Sequence, residues 1–552
     1  AWWVSRNPGV KPPVKFEYLR LLEDGSPAAG KFEGWPDKTA EVTSLDPCMG
    51  SGHFVASLFP VFAALRMYEE RLTKEQATDK VIAENLHGLE LDARCTQIAA
   101  FNLALTAWKF CGHYKALPEM NLACSGIAPK GKVEDWVKLV GNVPRDDRGR
   151  MENGMKMLYE HFQLAPELGS LLDPTTIKAD AFTASFEELQ PVLKRALENE
   201  GDTEQLERGV MAAGIAKAGQ LLAKKYSLQI TNVPYLGKGK FDTVLSDYVL
   251  KHYADAKGDL ATVFMERLLK TAQPHGTVTT VIPQNWLFLT TYKKYREKLL
   301  KSETWNVVAR LGAGAFSQIS GEVVKAILIA ITHTKPNPDH PLTGLDVSDA
   351  PNAIAKDEAL KTAELKMVNQ KEQLGNPDAV VAFENIKSDK LLNNYSYSHH
   401  GLTSGDLPRM SMFFWELGTV DDKWIPFQTT TKKTQYYSGL ETMLRWENGK
   451  GAINELPGAR KDGTAAWGRK GIVISQIGEM PTALYLGYSF DNNTAVITPN
   501  DDKDLEAIWS YCSSPEYNEA VRRIDQSLAV TSGTMVKIPF ELDYWKKIAS
   551  EK

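Results

Sequence analysis

The sequence predicts an α/β protein built on a parallel sheet covered by helices. Three stretches carry that expectation. A short apolar-leaning run, Glu41 to Leu45, enters a glycine turn, D-P-C-M-G-S-G, and opens into an apolar helical pattern from Phe54 to Met67. A second run, His87 to Asp92, precedes a helix over Arg94 to Phe110. Later apolar runs (Leu228 to Tyr235, Thr277 to Pro283, Trp305 to Leu311 and Val323 to Thr332) resume the strand pattern. Strands alternating with helices of this length favour a parallel, helix-covered sheet.

Each element has a local reason. Residues 1–40 carry the Trp2-Trp3 pair, prolines and glycines with little periodicity, which predicts an arm laid over the first domain. At the glycine turn the main chain can approach a ligand, and the helix start offers free N–H groups and a positive dipole end. The turn is neither G-x-G-x-x-G nor the P-loop. A helical stretch, Lys74 to Asn85, leads into the second strand. Residues 112–225 predict a helical insertion, with Ile177 to Ala181 as a short strand ending in an acid, Asp180. Residues 336–398 predict a loop-rich connector with a charged helix over Ala355 to Glu372. From about Gly401 the chain turns to short strands rich in Trp, Tyr and Gly, so the expected domains are 1–335 and 399–552.

Composition sets the class. The 552 residues, 24% charged and 43% hydrophobic, suit two or three ordinary globular domains. A net charge of -5 excludes a uniformly basic nucleic-acid coat, so any DNA contact must come from local patches. No apolar run approaches the ~18 residues that span a bilayer, and no secretory signal is visible. The five cysteines form no C-x-x-C pair, which predicts reduced thiols, a cytoplasmic protein and no structural zinc. His399 and His400 read as loop residues rather than metal ligands.

The chemistry concentrates in two places. Asp46, Glu90 and Asp180 fall near the ends of successive predicted strands, where a doubly wound sheet binds its ligands. A carboxylate after the second strand suits a ribose diol, and one after the third an adenine amine. Each acid could equally be a helix cap or a solvated loop residue. The second focus is Thr231-Asn232-Val233-Pro234-Tyr235. The residue before proline is held extended, so the Asn232 side-chain oxygen and the Val233 carbonyl could accept both hydrogens of one amino group. Tyr235 would offer a flat face to a planar ring. Taken alone, the same residues could form only a turn leaving a strand.

With D-P-C-M-G-S-G-H-F and N-V-P-Y in that order, the chain resembles the S-adenosylmethionine-dependent amino-methyltransferases of the adenine-N6 DNA group. The run N-V-P-Y-L-G-K-G-K, then L-S-D-Y-V-L-K-H-Y-A-D-A-K-G-D-L-A-T-V-F-M-E-R, is similar to the large methyltransferases of BREX and DISARM phage-defence systems. These are relatives of type IIG restriction–modification enzymes. The likeness continues through P-Q-N-W-L-F-L-T-T-Y-K-K-Y-R and A-W-G-R-K-G-I-V-I-S-Q-I-G. It implies a Rossmann-like methyltransferase domain and a mixed α/β target-recognition domain. It implies cofactor contacts at Asp46, Pro47, Cys48, Gly50, Gly52, His53, Phe54, Glu90 and Asp180. It further implies catalysis by Asn232, Val233, Pro234 and Tyr235, with Tyr235 and Phe316 against an extruded base. Double-stranded DNA is the expected partner, contacted through Lys238, Lys240, Lys432, Lys433, Arg469 and Lys470, with other phage-defence proteins as further candidates.

Two departures stand out: Val233 replaces the family's first proline, and the upstream Tyr-Thr-Pro segment has no counterpart. The chain opens Ala-Trp-Trp rather than with a Met, which suggests a processed chain or the remainder of a longer one. A protein-glutamine methyltransferase would be shorter. A recognition subunit that has lost catalysis is the alternative from another class. The residues ahead of Glu41 are too few for a nuclease domain and no convincing P-D…(D/E)-x-K set is found, so cleavage is not expected of this chain.

Overall fold

The computed structural model describes residues 1–141, 144–195, 203–316, 325–384 and 390–551. The chain divides into two compact units, one of residues 1–284 and 298–371, the other of 285–297 and 372–552.

The first unit is organised by a nine-stranded mixed sheet. Its strands are β1 (Ser44–Asp46), β2 (Leu86–Glu90), β3 (Asn121–Cys124), β4 (Tyr226–Asn232) and β5 (Ala272–Pro283), followed by β6 (Thr304–Gly312), β7 (Ala326–Thr332), β8 (Pro341–Asp346) and β9 (Lys366–Asn369). The order is β3-β2-β1-β4-β5-β7-β6-β8-β9. β1 pairs in parallel with both β2 and β4, and β7 runs antiparallel to β5 and β6. Strand order therefore reverses between β1 and β4, the position where open α/β sheets leave a crevice beyond the strands' carboxyl ends.

The elements form for local reasons. After β1, the chain turns through Gly50 and Gly52, both at positive φ (52° and 80°), into the helix His53–Glu70. That helix packs Val55, Phe59, Phe62 and Ala63 with Ala99, Leu103 and Ala107 of the helix Ala93–Cys111. Asp92 caps the latter by accepting from the Arg94 amide. The arm joins this core: Trp2 and Trp3 are buried, and their ring N–H groups donate to the Pro36 carbonyl and to Glu69.

Three sequence expectations are corrected. The third strand is Asn121–Cys124, inside the stretch expected to be a helical insertion and ahead of the strand expected at Ile177 to Ala181. It is only four residues long, too short to display alternation, and its pairing with β2 makes it a strand. Ile177 to Ala181 is not a strand; Pro174–Thr176 forms a short helical turn and an irregular loop follows. Residues 341–369 are not a connector, because β8 pairs with β6 and β9 with β8. The helix there spans Ala353–Thr362. Of the expected strand Val323 to Thr332, residues 323 and 324 lie outside the described residues.

The second unit holds two four-stranded sheets. The strands are β10 (Ser396–His400), β11 (Ser411–Phe413), β12 (Trp424–Gln428), β13 (Thr442–Arg445), β14 (Gly471–Ser475), β15 (Thr482–Tyr485), β16 (Ser489–Phe490) and β17 (Thr494–Pro499). They are ordered β10-β17-β14-β15 and β11-β13-β12-β16. His399 and His400 lie on β10, not in a loop, and His399 Nε2 meets Thr498 Oγ1 at 2.9 Å. Helices Leu505–Cys512, Pro515–Ile524 and Leu542–Ser550 complete the unit. Residues 285–297 join it through buried Arg296, which donates to the carbonyls of Trp286, Leu289, Asp378 and Ala379.

Candidate active site

The parallel pairing of β1 and β4 sets Ser44 beside Leu228 and Leu45 beside Gln229, so Asp46 and Asn232 end neighbouring strands. Beyond those ends lies a cavity of about 340 Å³. Pro47 and Cys48 line it from the glycine turn, Glu90 and Leu91 from the end of β2, and Asn232 and Pro234 from the end of β4. Its volume falls within the usual range for small-molecule sites. Two larger cavities, about 450 and 540 Å³, lie under the arm and carry none of the predicted site residues.

Asp46 is buried. One carboxylate oxygen accepts from the Cys48 amide (3.2 Å), while the other, Oδ2, has no hydrogen-bond partner among the described residues. Burial pushes its carboxyl up to about 7, against the opposing effects of the Thr231 hydroxyl and the Cys48 amide; the charge of Glu90 adds to the rise. The Thr231 hydroxyl is itself buried without a well-aligned partner among the described residues. An orphaned carboxylate oxygen is costly. It suits a ligand with a cationic group, whose charge would restore the ionised form.

Glu90 ties the turn to β2. Its Oε2 accepts from the Gly50 amide (2.8 Å) and its Oε1 from the Asp92 amide (3.2 Å). These bonds fix the carboxylate at the cavity edge and leave lone pairs for hydroxyl donors. The Met49 amide donates to the Leu89 carbonyl (3.0 Å), a second tie between turn and strand. Burial pushes the Cys48 thiol well above its usual range, so this side chain presents a neutral wall.

On the opposite side, Val233 is 3% exposed and anchors the motif in the core, while Asn232 and Pro234 are exposed. The Tyr235 hydroxyl donates to Asn232 Oδ1 at 3.2 Å. Burial raises the Tyr235 pKa, so the phenol stays protonated and acts as a donor. The chain then pairs with the segment that starts the next cavity helix: Lys238 N–H donates to the Gly258 carbonyl and Leu260 N–H to that of Leu236. Leu260 and Phe264 of that helix (Leu260–Thr271), with Leu245 of the helix Thr243–His252, give the cavity its apolar side.

Several predicted residues lie elsewhere. Asp180 is exposed in a loop, where its carboxylate accepts from the Phe182 amide (2.7 Å), and it is absent from the cavity lining. The strand expected to carry it does not form, and the true β3 ends in Cys124. Phe316 packs on the apolar cluster of Leu311, Ala326 and Val347 rather than on the cavity. His53 and Phe54 open their helix, with His53 exposed and neither on the lining. Lys238 and Lys240 are exposed on a short helical turn after the motif, and Lys432, Lys433, Arg469 and Lys470 are exposed on the second unit. Arg469 also donates to the Pro499 carbonyl (2.7 Å).

Sequence reasoning missed residues 167–171, which line the cavity from within the insertion. The only signal there is a Gly169-Ser170 pair, an ordinary turn cue. Among the described residues, no cluster of His, Cys, Asp and Glu could hold a metal ion, and no helix is long and apolar enough to cross a membrane.

The fold is α/β with a large mixed sheet, consistent with that of a restriction–modification methyltransferase. Residues 84–316 match the family described as Eco57I restriction-modification methylase. The chain is 24% identical over 561 residues to the adenine-specific methyltransferase PglX of Lacticaseibacillus casei (strain Zhang), covering 91% of this chain and 44% of that protein. It is 27% identical over 541 residues to the adenine-specific methyltransferase BrxX of Escherichia coli O9:H4 (strain HS), covering 90% and 44%. The chain thus spans less than half the length of these curated relatives. The resemblance to large adenine-specific methyltransferases read from the sequence is borne out by both.

Among solved structures, a nuclease-deletion mutant of the Type ISP restriction–modification enzyme LlaGI, in complex with a DNA substrate mimic, aligns with a TM-score of 0.53 at 12% identity, covering 93% of this chain and 44% of that one. The Type IIL enzyme MmeI, in complex with DNA, aligns with a TM-score of 0.51 at 11% identity, covering 93% and 64%. At such identities the likeness is one of fold.

Proposed function

We propose that this chain is the methyltransferase part of a site-specific DNA adenine-N6 methyltransferase that marks host DNA in a phage-defence system. The observation that carries the reading is the shared cavity: Pro47 and Cys48 of the turn that follows Asp46, Glu90, and Asn232 and Pro234 line it together at the carboxyl ends of three adjacent strands. The names of the curated relatives and the matched methylase family support it.

The donor the reading requires is S-adenosylmethionine, and the site's chemistry fits it. The unpartnered Asp46 oxygen suits the ammonium of the methionine moiety, and Glu90 the ribose diol. When bound, the donor supplies an electrophilic methyl group on a sulfonium centre.

The chain's own residues prepare the acceptor. Adenine N6 is a poor nucleophile because its lone pair is delocalised into the ring. Asn232 Oδ1 and the Val233 carbonyl would accept its two hydrogens, favour a more tetrahedral nitrogen and aim its lone pair. Tyr235, donating to Asn232 Oδ1, holds that carboxamide and leaves the oxygen's second lone pair for the amino group. Positioning and electrostatics carry this step rather than a strong base. N6 is inaccessible within a duplex, so the base must be everted, at a cost of roughly a few kcal/mol offset by contacts with the protein. The exposed lysines Lys432 and Lys433 suit phosphate contacts, which position DNA without reading its sequence.

The test is Asn232→Ala with labelled donor and duplex DNA. Donor binding is expected to persist while labelled N6-methyladenine falls by at least about 100-fold. Turnover retained in the variant would remove Asn232 from the mechanism. DNA binding by the unaltered chain without any label would favour a recognition subunit over an enzyme.

A further inference from the structure

The cavity wall contributed by the helical insertion is attached on both sides by specific bonds. On one side the Ser170 hydroxyl, buried, donates to the Pro47 carbonyl (2.6 Å), directly after Asp46, and lies 3.2 Å from Ser125 Oγ beyond the end of β3. On the other side three successive carbonyls of this strap are taken. Arg267 Nε donates to Ser170 O (3.3 Å), the Tyr248 hydroxyl to Leu171 O (3.1 Å) and Arg267 Nη2 to Leu172 O (2.6 Å). Arg267 is 4% exposed and also meets the Leu222 carbonyl (2.9 Å) and Asp173 (3.1 Å). Tyr248 and Arg267 belong to the two helices that follow N-V-P-Y, the same helices that supply Leu245, Leu260 and Phe264 to the cavity.

A continuous chain of bonds and packed side chains thus runs from the helices behind the N-V-P-Y motif, through the strap, to the turn that carries Asp46. Nothing in the strap's own sequence requires it to touch Pro47; the Ser170 hydroxyl makes that link. The packing is close: a Cβ added at Gly169 would meet Leu91 Cδ1 at 2.9 Å.

We infer that Ser170 is a positioning residue for the methyl donor. Its hydroxyl sets the Pro47 carbonyl, and with it the Asp46–Cys48 turn, against a strap that Arg267 and Tyr248 hold rigid. A pre-ordered wall lowers the ordering cost of binding. Removing the hydroxyl leaves a carbonyl without its buried donor and releases the turn, whereas residues 232–235 keep their own bonds. The effect therefore falls on donor affinity and not on transfer from the saturated complex. This inference rests on reading the cavity as the donor site.

The experiment is calorimetric titration of this chain with S-adenosylmethionine, paired with turnover on duplex DNA at saturating donor. Ser170→Ala is expected to raise the donor Kd about tenfold and leave kcat within about twofold. Ser170→Thr, which keeps a hydroxyl, is expected to retain affinity within about threefold. Ser125→Ala removes the neighbouring hydroxyl but spares the Ser170–Pro47 bond, and should leave Kd within about twofold. An unchanged Kd in folded Ser170→Ala, an equal loss in Ser125→Ala, or no recovery in Ser170→Thr overturns the inference. Failure of the unaltered chain to bind the donor overturns the donor-site reading itself, and this inference with it.

Discussion

Replacing Gly52 by alanine tests whether the turn after β1 is as tightly determined as its geometry implies. Gly52 sits at φ 80°, and a Cβ there would meet Ala99 Cβ at 2.8 Å and Ala99 Cα at 3.0 Å. Neither neighbour is the free end of a flexible side chain, so the helix Ala93–Cys111 or the turn itself must shift. The left-handed conformation costs an L-residue about 1–2 kcal/mol, and overpacking a close approach adds about 1–3 kcal/mol. The sum is about 2–5 kcal/mol. Gly50 provides the internal control. It too has positive φ, 52°, but nothing lies within 4 Å of an added Cβ. Gly50→Ala should therefore cost only the conformational part, about 1–2 kcal/mol. Urea unfolding of both variants, followed by tryptophan fluorescence, reads the difference directly. Donor titration should show the larger loss of affinity for Gly52→Ala. Equal effects at the two positions, or a Gly52→Ala cost below about 0.5 kcal/mol, would refute the close approach as the reason for this glycine.

Other expectations follow from the same geometry. With its carboxyl held near 7, Asp46 should make donor affinity fall as pH drops below about 7, by up to about tenfold per pH unit, and Asp46→Asn should flatten that profile; titrations between pH 5.5 and 8 that show no slope in the unaltered chain would exclude Asp46 as the ammonium's partner. In the ligand-free chain the same raised pKa works the other way on folding: the contribution of Asp46 to stability is greatest below its unfolded value near 3.8 and is lost as pH rises toward about 7. His87 is pushed down to about 4 by burial and by Lys224, whose ammonium lies 2.8 Å from Nε2. Its contribution is therefore present above about 6.5 and lost as pH falls toward 4, and an imidazole NMR signal titrating near 6.5 would contradict the neutral buried ring. For DNA, Lys432→Ala with Lys433→Ala should weaken binding similarly across sequences and reduce the salt slope by about 0.9 for each phosphate no longer neutralised; an unchanged slope would show that these lysines do not face phosphate.

Much of the site was legible because its chemistry is local. A glycine pair between an apolar run and a helical pattern announces a turn at positive φ, and Gly50 and Gly52 have that backbone. Asn232-Val233-Pro234 was legible for a similar reason, since proline restricts its neighbour wherever the segment lies. Pro47 and Cys48 of that turn meet Asn232 and Pro234 in one cavity through the ordering of strands that alternating helices impose.

What the chain itself determined, then, was the alternation of strands and helices, the glycine turn and the residues of the N-V-P-Y corner. Tertiary structure alone decided which short segments became strands. Asn121–Cys124 is too short, and Pro341–Asp346 buries four successive residues between exposed ends, so neither shows a two-residue period, and only pairing with β2 and β6 recruits them. It also decided that Asp180 lies in an exposed loop while Ser170, with no distinguishing sequence context, bridges the insertion to Pro47. Such long-range bonds depend on segments more than a hundred residues apart arriving at the same place, and no local pattern of residues records that.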